Sequence, residues 1–181
     1  MNCANAASYY TERPNDAQGV YLTADNFPGH GDGAADDSAA LQQAIDKVEE
    51  TTRNGIVFVP EGRYRLARTV HVWQGIRLIG YGRNRPVFVL AENTPGFQES
   101  KPYDPDNETS GNYMIHFASA RPLPGMPVRD ATPGTFYSGM SNIDIEIGNG
   151  NPAAIGVRFH GAQHCLLAHI DFRTGSGKAG V

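Results

Sequence analysis

Apolar positions recur along this chain in two unlike rhythms. Leu41, Ala44, Ile45 and Val48 fall at i, i+3, i+4 and i+7, the single apolar stripe of an amphipathic helix. Asp36, Asp37 and Ser38 stand just ahead of it, where side-chain acceptors meet free backbone N–H groups and negative charge suits the helix dipole. The pattern predicts a helix over about residues 38–50, closed by Asn54 and Gly55. From Gly55 onward the rhythm shortens. Residues 56–60, 70–72, 76–80, 87–90 and 113–117 are compact apolar runs between small or polar turns, and residues 20–22 form an earlier one; all read as strands. They lie too close together to have crossover helices between them, which leaves a meander, a sandwich or a solenoid.

An internal repeat chooses among these. Residues 143–150 (IDIEIGNG) align with residues 170–177 (IDFRTGSG) at an offset of 27, and residues 76–82 (IRLIGYG) are a looser copy. Ile155-Gly156-Val157 is echoed by Ala179-Gly180-Val181. Short strands with glycine corners and a period in the twenties are what one turn of a β-solenoid looks like. Residues 1–19 are then an irregular lead-in and residues 20–181 a solenoid domain. The stretch over residues 92–135, rich in Pro, Gly, Asp and Asn, breaks the rhythm and reads as insertions projecting from it. The chain stops inside what should be the next turn, so we expect the N-terminal piece of a longer protein.

Composition narrows the function classes. Hydrophobic residues at 40% and charged residues at 19% argue for a globular chain over a disordered one. A net charge of −4 gives no electrostatic reason to expect nucleic acid or an anionic membrane as partner, and no apolar run approaches the length of a membrane span. Cys3 and Cys165 have neither metal spacing nor the makings of a disulfide framework; Cys165, in an apolar run, is expected to be a small buried side chain.

Two stretches now bear on identity. Residues 31–45 (GDGAADDSAALQQAI) closely resemble the helix that opens pectate-lyase-superfamily domains, and residues 55–66 (GIVFVPEGRYRL) resemble the strand and turn that follow it there. Residues 75–82 (GIRLIGYG) are similar to a third turn of that group. The resemblance implies an all-β, right-handed parallel β-helix with an N-terminal capping helix. It also implies a polysaccharide substrate, an extracellular or periplasmic setting, and cleavage of glycosidic bonds in an acidic or plant-type polysaccharide by hydrolysis or lyase chemistry. Calcium enters only if the full-length protein is a lyase. The competing class is a non-catalytic β-helix, such as a tail-spike-like shaft or a polysaccharide-binding module, and β-helices can also oligomerise by stacking. No catalytic motif of a relative matches residue by residue.

Candidate chemistry therefore rests on this chain's own residues. If Ile143, Ile145 and Ile147 point inward, Asp144 and Glu146 point outward beside Asp171 and Arg173 of the next turn, about 4.8 Å away. Paired carboxylates at that distance suit the acid and nucleophile of a retaining glycosidase, or alternatively a cation site, giving Asp144 and Asp171 as catalytic candidates with Glu146, Arg173 and Tyr137 as substrate contacts. The plain alternative is a solvated outer face with Glu146–Arg173 as a weak surface ion pair. Asp32, Asp36 and Asp37 fit neither an EF-hand nor a phosphate loop and are read as turn and cap residues. His160, His164 and His169 lack a helix to bring them together, so they read as surface or turn residues and no metal site is expected. Trp73, Tyr103, Tyr113, Phe136 and Tyr137 offer sugar-stacking faces or, equally, core and loop anchors.

Overall fold

The computed structural model describes residues 7–101 and 111–181, so Cys3 and Tyr103 lie outside the described residues. Strands β1 (Val20–Tyr21), β3 (Gly55–Pro60), β6 (Ile76–Tyr81), β9 (Gly139–Ser141) and β12 (Leu166–Ala168) lie side by side in one sheet. A second sheet holds β2 (Asp32–Asp36), β4 (Arg63–Arg65), β7 (Val87–Leu90), β10 (Asp144–Ile147) and β13 (Phe172–Arg173). The third has β5 (Val70–Val72), β8 (Tyr113–Phe117) and β11 (Ile155–Arg158). Every pairing of these strands is parallel, and from β3 to β11 each turn of chain gives one strand to each sheet in succession. The molecule is a parallel β-helix. Between its sheets runs one apolar core that includes Val57, Leu78, Met140, Phe88, Ile145, Ile115 and Phe117. Inward and outward residues alternate along β3, β5, β6 and β10, as the two-residue period requires, whereas β8 turns two consecutive residues, Met114 and Ile115, into the core.

The sequence repeat is the strand register itself. Ile145 pairs with Phe172 and Glu146 with Arg173, each 27 residues apart, and Ile155 bridges to Ala179. The looser copy does not belong to that set: β6 pairs with β9 in the first sheet, whereas β10 pairs with β7 in the second. An apolar–polar–apolar triplet suits any rung strand and does not say which sheet it joins.

Helix α1 (Ser38–Thr51) occupies the place where the first turn would send a third strand. Leu41, Ala44, Ile45 and Val48 sink into the core and close its end. Its termini differ from expectation. Asp37, fully buried, does not cap the helix; its carboxylate turns back to accept from the backbone N–H groups of His30 and Gly31, at 2.7 and 3.1 Å. Asp36 does the capping work, accepting from Ser38 N–H and from the Ser38 hydroxyl. At the other end Arg53, with φ 61°, takes the left-handed position and donates its N–H to Val48 O. Gly55 already begins β3, where a Cβ would meet Val48 Cγ1 at 3.0 Å.

The described part of the stretch over residues 92–135 carries the strand expected at residues 113–117 and packs on the core. It contributes β8 to the third sheet and buries Phe97 and Ala118, and the Asn112 amide donates to the carbonyls of Gly96 and Glu99. Residues 7–10 run against the outside of the first sheet, with Ala7 bridging antiparallel to Asn84. Among the described residues no helix is long and apolar enough to cross a membrane.

Candidate functional site

The repeat brings Asp144 and Asp171 together. The Asp171 backbone N–H donates to Asp144 Oδ1 at 3.0 Å, and one guanidinium joins both side chains: Arg85 Nη2 donates to Asp171 Oδ2 at 2.5 Å, and Arg85 Nε lies 3.1 Å from Asp144 Oδ1 as an ion pair whose N–H is aimed aside. Arg173 reaches Asp144 Oδ2 at 3.2 Å and Glu146 Oε2 at 3.5 Å, while Arg63 holds the other Glu146 oxygen at 2.7 Å. Asp144 lies on the outer face, as its period demands, but it is not open to solvent: its side chain is 0% exposed. Burial pushes its carboxyl up, against the opposing pull of the Asp171 N–H and the Arg85 charge. A general acid must touch the group it protonates, and two arginines roof this one. The expected pair of free carboxylates is thus a six-residue charge lattice.

The first sheet carries a different surface. Outward along it stand Arg77 and Ile79 of β6, Gly139 and Ser141 of β9, and Leu166 and Ala168 of β12; among them the small Gly139, Ser141 and Ala168 floor a hollow of about 330 Å³, walled on one side by Tyr9 and Tyr10. Gly139 keeps the floor low, since a Cβ there would meet Leu166 O at 2.7 Å. A second hollow of about 340 Å³, lined among others by Asp16, Gln18, Asn54 and Tyr137, meets the first at Arg77. Along its rim the register aligns Gly75, Tyr137 and His164 on successive rungs. All three adopt left-handed φ, at 77°, 64° and 61°. Glycine takes that conformation freely, whereas Tyr137 and His164 each hold it at a cost of about 1 kcal/mol. Their rings stack in parallel, 5.0 Å apart and 3° from coplanar, with Tyr137 51% exposed. Arg77 Nε donates to Tyr137 O at 3.0 Å and fixes the corner. His169, also left-handed at φ 53°, meets the Tyr9 ring edge-on.

A third constellation had no signal in the sequence. On the outer face of the third sheet, His71, His116 and Arg158 stack on successive rungs by register. Asp130, from the segment after β8, lies over them: His116 Nε2 sits 3.0 Å from Asp130 Oδ1, and Arg158 donates to Oδ2 through Nε and Nη2 at 3.1 and 2.5 Å. The Nδ1 atoms of His71 and His116 are 3.2 Å apart, so one proton serves both. Burial, with help from the neighbouring His116, pulls His71 down to about 4. Burial opposes the Asp130 charge, but the bonds from His116 and Arg158 more than reverse this and hold its carboxyl at about 2.

The other candidates fall into structural roles. Trp73 is buried and donates Nε1–H to Asp46 Oδ1 at 2.7 Å. Tyr113 and Phe136 are half-buried. Cys165 is a free thiol that is half-buried, not enclosed, and its Sγ–H donates to Thr135 O at 3.2 Å. Asp32 accepts from the N–H groups of Ala34 and Ala35 within its own turn. Among the described residues no three His, Cys, Asp or Glu side chains converge as a metal-binding set.

A family model described as rhamnogalacturonase A/epimerase, pectate lyase-like, matches residues 24–180. A probable glucan endo-1,3-beta-glucosidase of Arthroderma benhamiae is 28% identical over 97 residues, which is 48% of this chain and 11% of that protein. ORF18 of Geobacillus virus E2 shares the fold with a TM-score of 0.53 at 21% identity, over 90% of this chain and 29% of that one. The mannuronan C-5 epimerase AlgE4 A-module of Azotobacter vinelandii superposes with a TM-score of 0.48 at 17% identity, over 87% of this chain and 39% of its own length. This chain therefore spans only a small part of the curated relative it matches, and it belongs to the rhamnogalacturonase A/epimerase, pectate lyase-like family.

Proposed function

We propose that this chain holds a neutral polysaccharide across the outer face of the first sheet, and that the full-length protein cleaves its glycosidic bonds outside the cytoplasm. The observation that carries the reading is the Tyr137–His164 pair. Two stacked rings stand at left-handed corners where the previous rung has glycine, one of them half-exposed beside a groove. Strain kept at a surface position is better accounted for by a ligand than by folding, and aromatic faces pack well on the apolar faces of sugars. The groove's formal charges among the described residues are Arg77 and Asp16. They balance, which favours an uncharged chain over a polyuronate. The family and the glucan-cleaving name of the curated relative support a polysaccharide ligand.

Among the described residues a single carboxylate, Asp16, lines the groove, so this portion takes the binding role and none of its residues is assigned to bond cleavage. A panel of neutral and acidic polysaccharides tests it, with binding measured by calorimetry and cleavage by the full-length protein followed as new reducing ends and as ultraviolet absorbance of a new double bond. Binding of a neutral glucan and reducing ends without that absorbance are expected. Binding of uronates alone, or a calcium-dependent rise in absorbance, overturns the neutral, hydrolytic reading.

A further inference from the structure

We propose that Tyr9 and Tyr10, in the lead-in ahead of the first strand, are glycan-binding residues that form one wall of the groove; this rests on the neutral-polysaccharide reading above. The segment is pinned by a dedicated anchor. Asn142, buried at a left-handed corner, donates Nδ2–H to the Ser8 hydroxyl and to Gly80 O, both at 2.7 Å, and accepts the Tyr9 N–H on Oδ1 at 3.1 Å. Gly82 N–H donates to Tyr10 O at 2.8 Å, and Ala7 bridges to Asn84. The backbone of a nominally irregular lead-in is thus fixed over the outer face of two adjacent rungs.

What this anchoring presents is not core. Tyr9 is 65% and Tyr10 48% exposed, so their burial stabilises the fold little against the entropy of ordering two large side chains. The Tyr9 ring meets His169 edge-on, but most of its surface, like half of that of Tyr10, faces outward beside the groove. Beside them lies the floor of Gly139, Ser141 and Ala168, and the enclosed space of about 330 Å³ is the size of a small-molecule site. Among the described residues Arg77 is the one Arg, Lys, Asp or Glu lining that hollow, and its Nε is already committed to Tyr137 O. Aromatic walls, small floor residues and the Ser141 hydroxyl suit uncharged pyranose units, whose ring faces are apolar and whose edges carry hydroxyls. Across the two hollows, Tyr9 and Tyr10 stand on one flank and Tyr137 on another, meeting at Arg77. The lead-in thereby becomes part of the binding surface, and it lies outside the residues matched by the family model.

The test titrates the chain and its variants with a neutral glucan hexasaccharide and with a galacturonate hexasaccharide. Tyr9→Ala/Tyr10→Ala is expected to weaken neutral hexasaccharide binding at least tenfold with its thermal midpoint unchanged, and Tyr137→Ala to weaken it independently. Tyr9→Phe/Tyr10→Phe, which keeps the ring faces, should retain most of the affinity. Wild-type affinity in the double alanine variant, with loss only in Tyr137→Ala, overturns the wall and leaves the groove reading standing. Tighter binding by the double alanine variant also overturns it, marking the strap as a cover over the site. Failure of the wild-type chain to bind the neutral hexasaccharide removes both.

Discussion

The Gln42 side chain pairs with the backbone of His71 as a strand would. Its Nε2–H donates to His71 O at 3.0 Å, and its Oε1 accepts the His71 N–H at 2.9 Å. β5 is the edge strand of the third sheet, and α1 stands where a neighbouring strand would otherwise lie. One amide thus satisfies both backbone groups of His71 that an open edge would leave unpaired. Helix α1 covers the edge with polar pairing as well as with apolar packing.

Gln42→Ala is expected to destabilise the fold by about 2 kcal/mol, because it strands a donor and an acceptor at a partly buried site. Gln42→Glu keeps an acceptor but loses the donor, so it should fall between. Urea unfolding checks this: the midpoint should drop at an unchanged slope. A midpoint equal to wild type in Gln42→Ala means that water replaces the amide.

The His71–His116–Asp130–Arg158 stack sets the acid sensitivity. His71 titrates near 4 in the folded chain and near 6.5 unfolded. The unfolded state therefore binds more protons in that window, and stability falls as pH drops from about 6.5 to about 4. The Asp130 carboxyl, held at about 2, contributes stability that is present above about 4 and is lost as pH falls from there toward 2. His71→Phe should flatten the upper limb of the stability–pH curve and leave the lower one. Asp130→Asn should remove the lower limb and cost roughly 3 kcal/mol at pH 7, since buried His116 loses its ionised partner. Denaturant midpoints measured from pH 3 to 8 separate the two.

Sequence pattern reached some of this and not the rest, for physical reasons. Offset identity at residues 143–150 and 170–177 survives because β9 to β12 and β10 to β13 both step 27 residues, so sequence period and strand register coincide at Ile145–Phe172. His71 and His116 also face each other across adjacent rungs, but 45 residues apart, so this turn is longer than the 27 residues of the repeat. Asp130 reaches back to His116 over 14 residues of irregular chain. No period links the three. β2 and β4 were equally opaque: Asp32–Asp36 and Arg63–Arg65 are short and polar, and long-range pairing makes them strands, not propensity. Asp144 read correctly as outward from its period, but only the fold shows Arg85 and Arg173 closing over it.

Tyr137 separates folding from binding. Its left-handed φ of 64° costs conformational energy that glycine does not incur, and half of its surface faces solvent. Tyr137→Gly should therefore leave the thermal midpoint within about 2 °C of wild type, strain relief offsetting the lost His164 stack. The same variant should lose most affinity for the neutral hexasaccharide. A large fall in midpoint with affinity retained would assign the ring to structure alone.

Arg85 should prove more important for stability than any other surface-sheet charge. Its side chain is 6% exposed and it pairs with Asp144, which has no solvent contact, and with Asp171. Arg85→Met leaves the Asp144 charge buried with only Arg173 opposite, a loss of about 3 kcal/mol at pH 7. The sign with pH is opposite to that of Asp130. Burial already raises the folded carboxyl of Asp144, so the folded state holds its proton more tightly than the unfolded state, and this group's contribution weakens as pH rises above the ordinary carboxylate range. Removing Arg85 raises that carboxyl further, so the variant's deficit should be large at pH 7 and shrink toward pH 4. Arg85→Met combined with Asp144→Asn should recover much of the loss, because the uncompensated charge is gone. A deficit independent of pH, or a double variant no better than the single, would show that Arg85 acts by packing and not by neutralising Asp144.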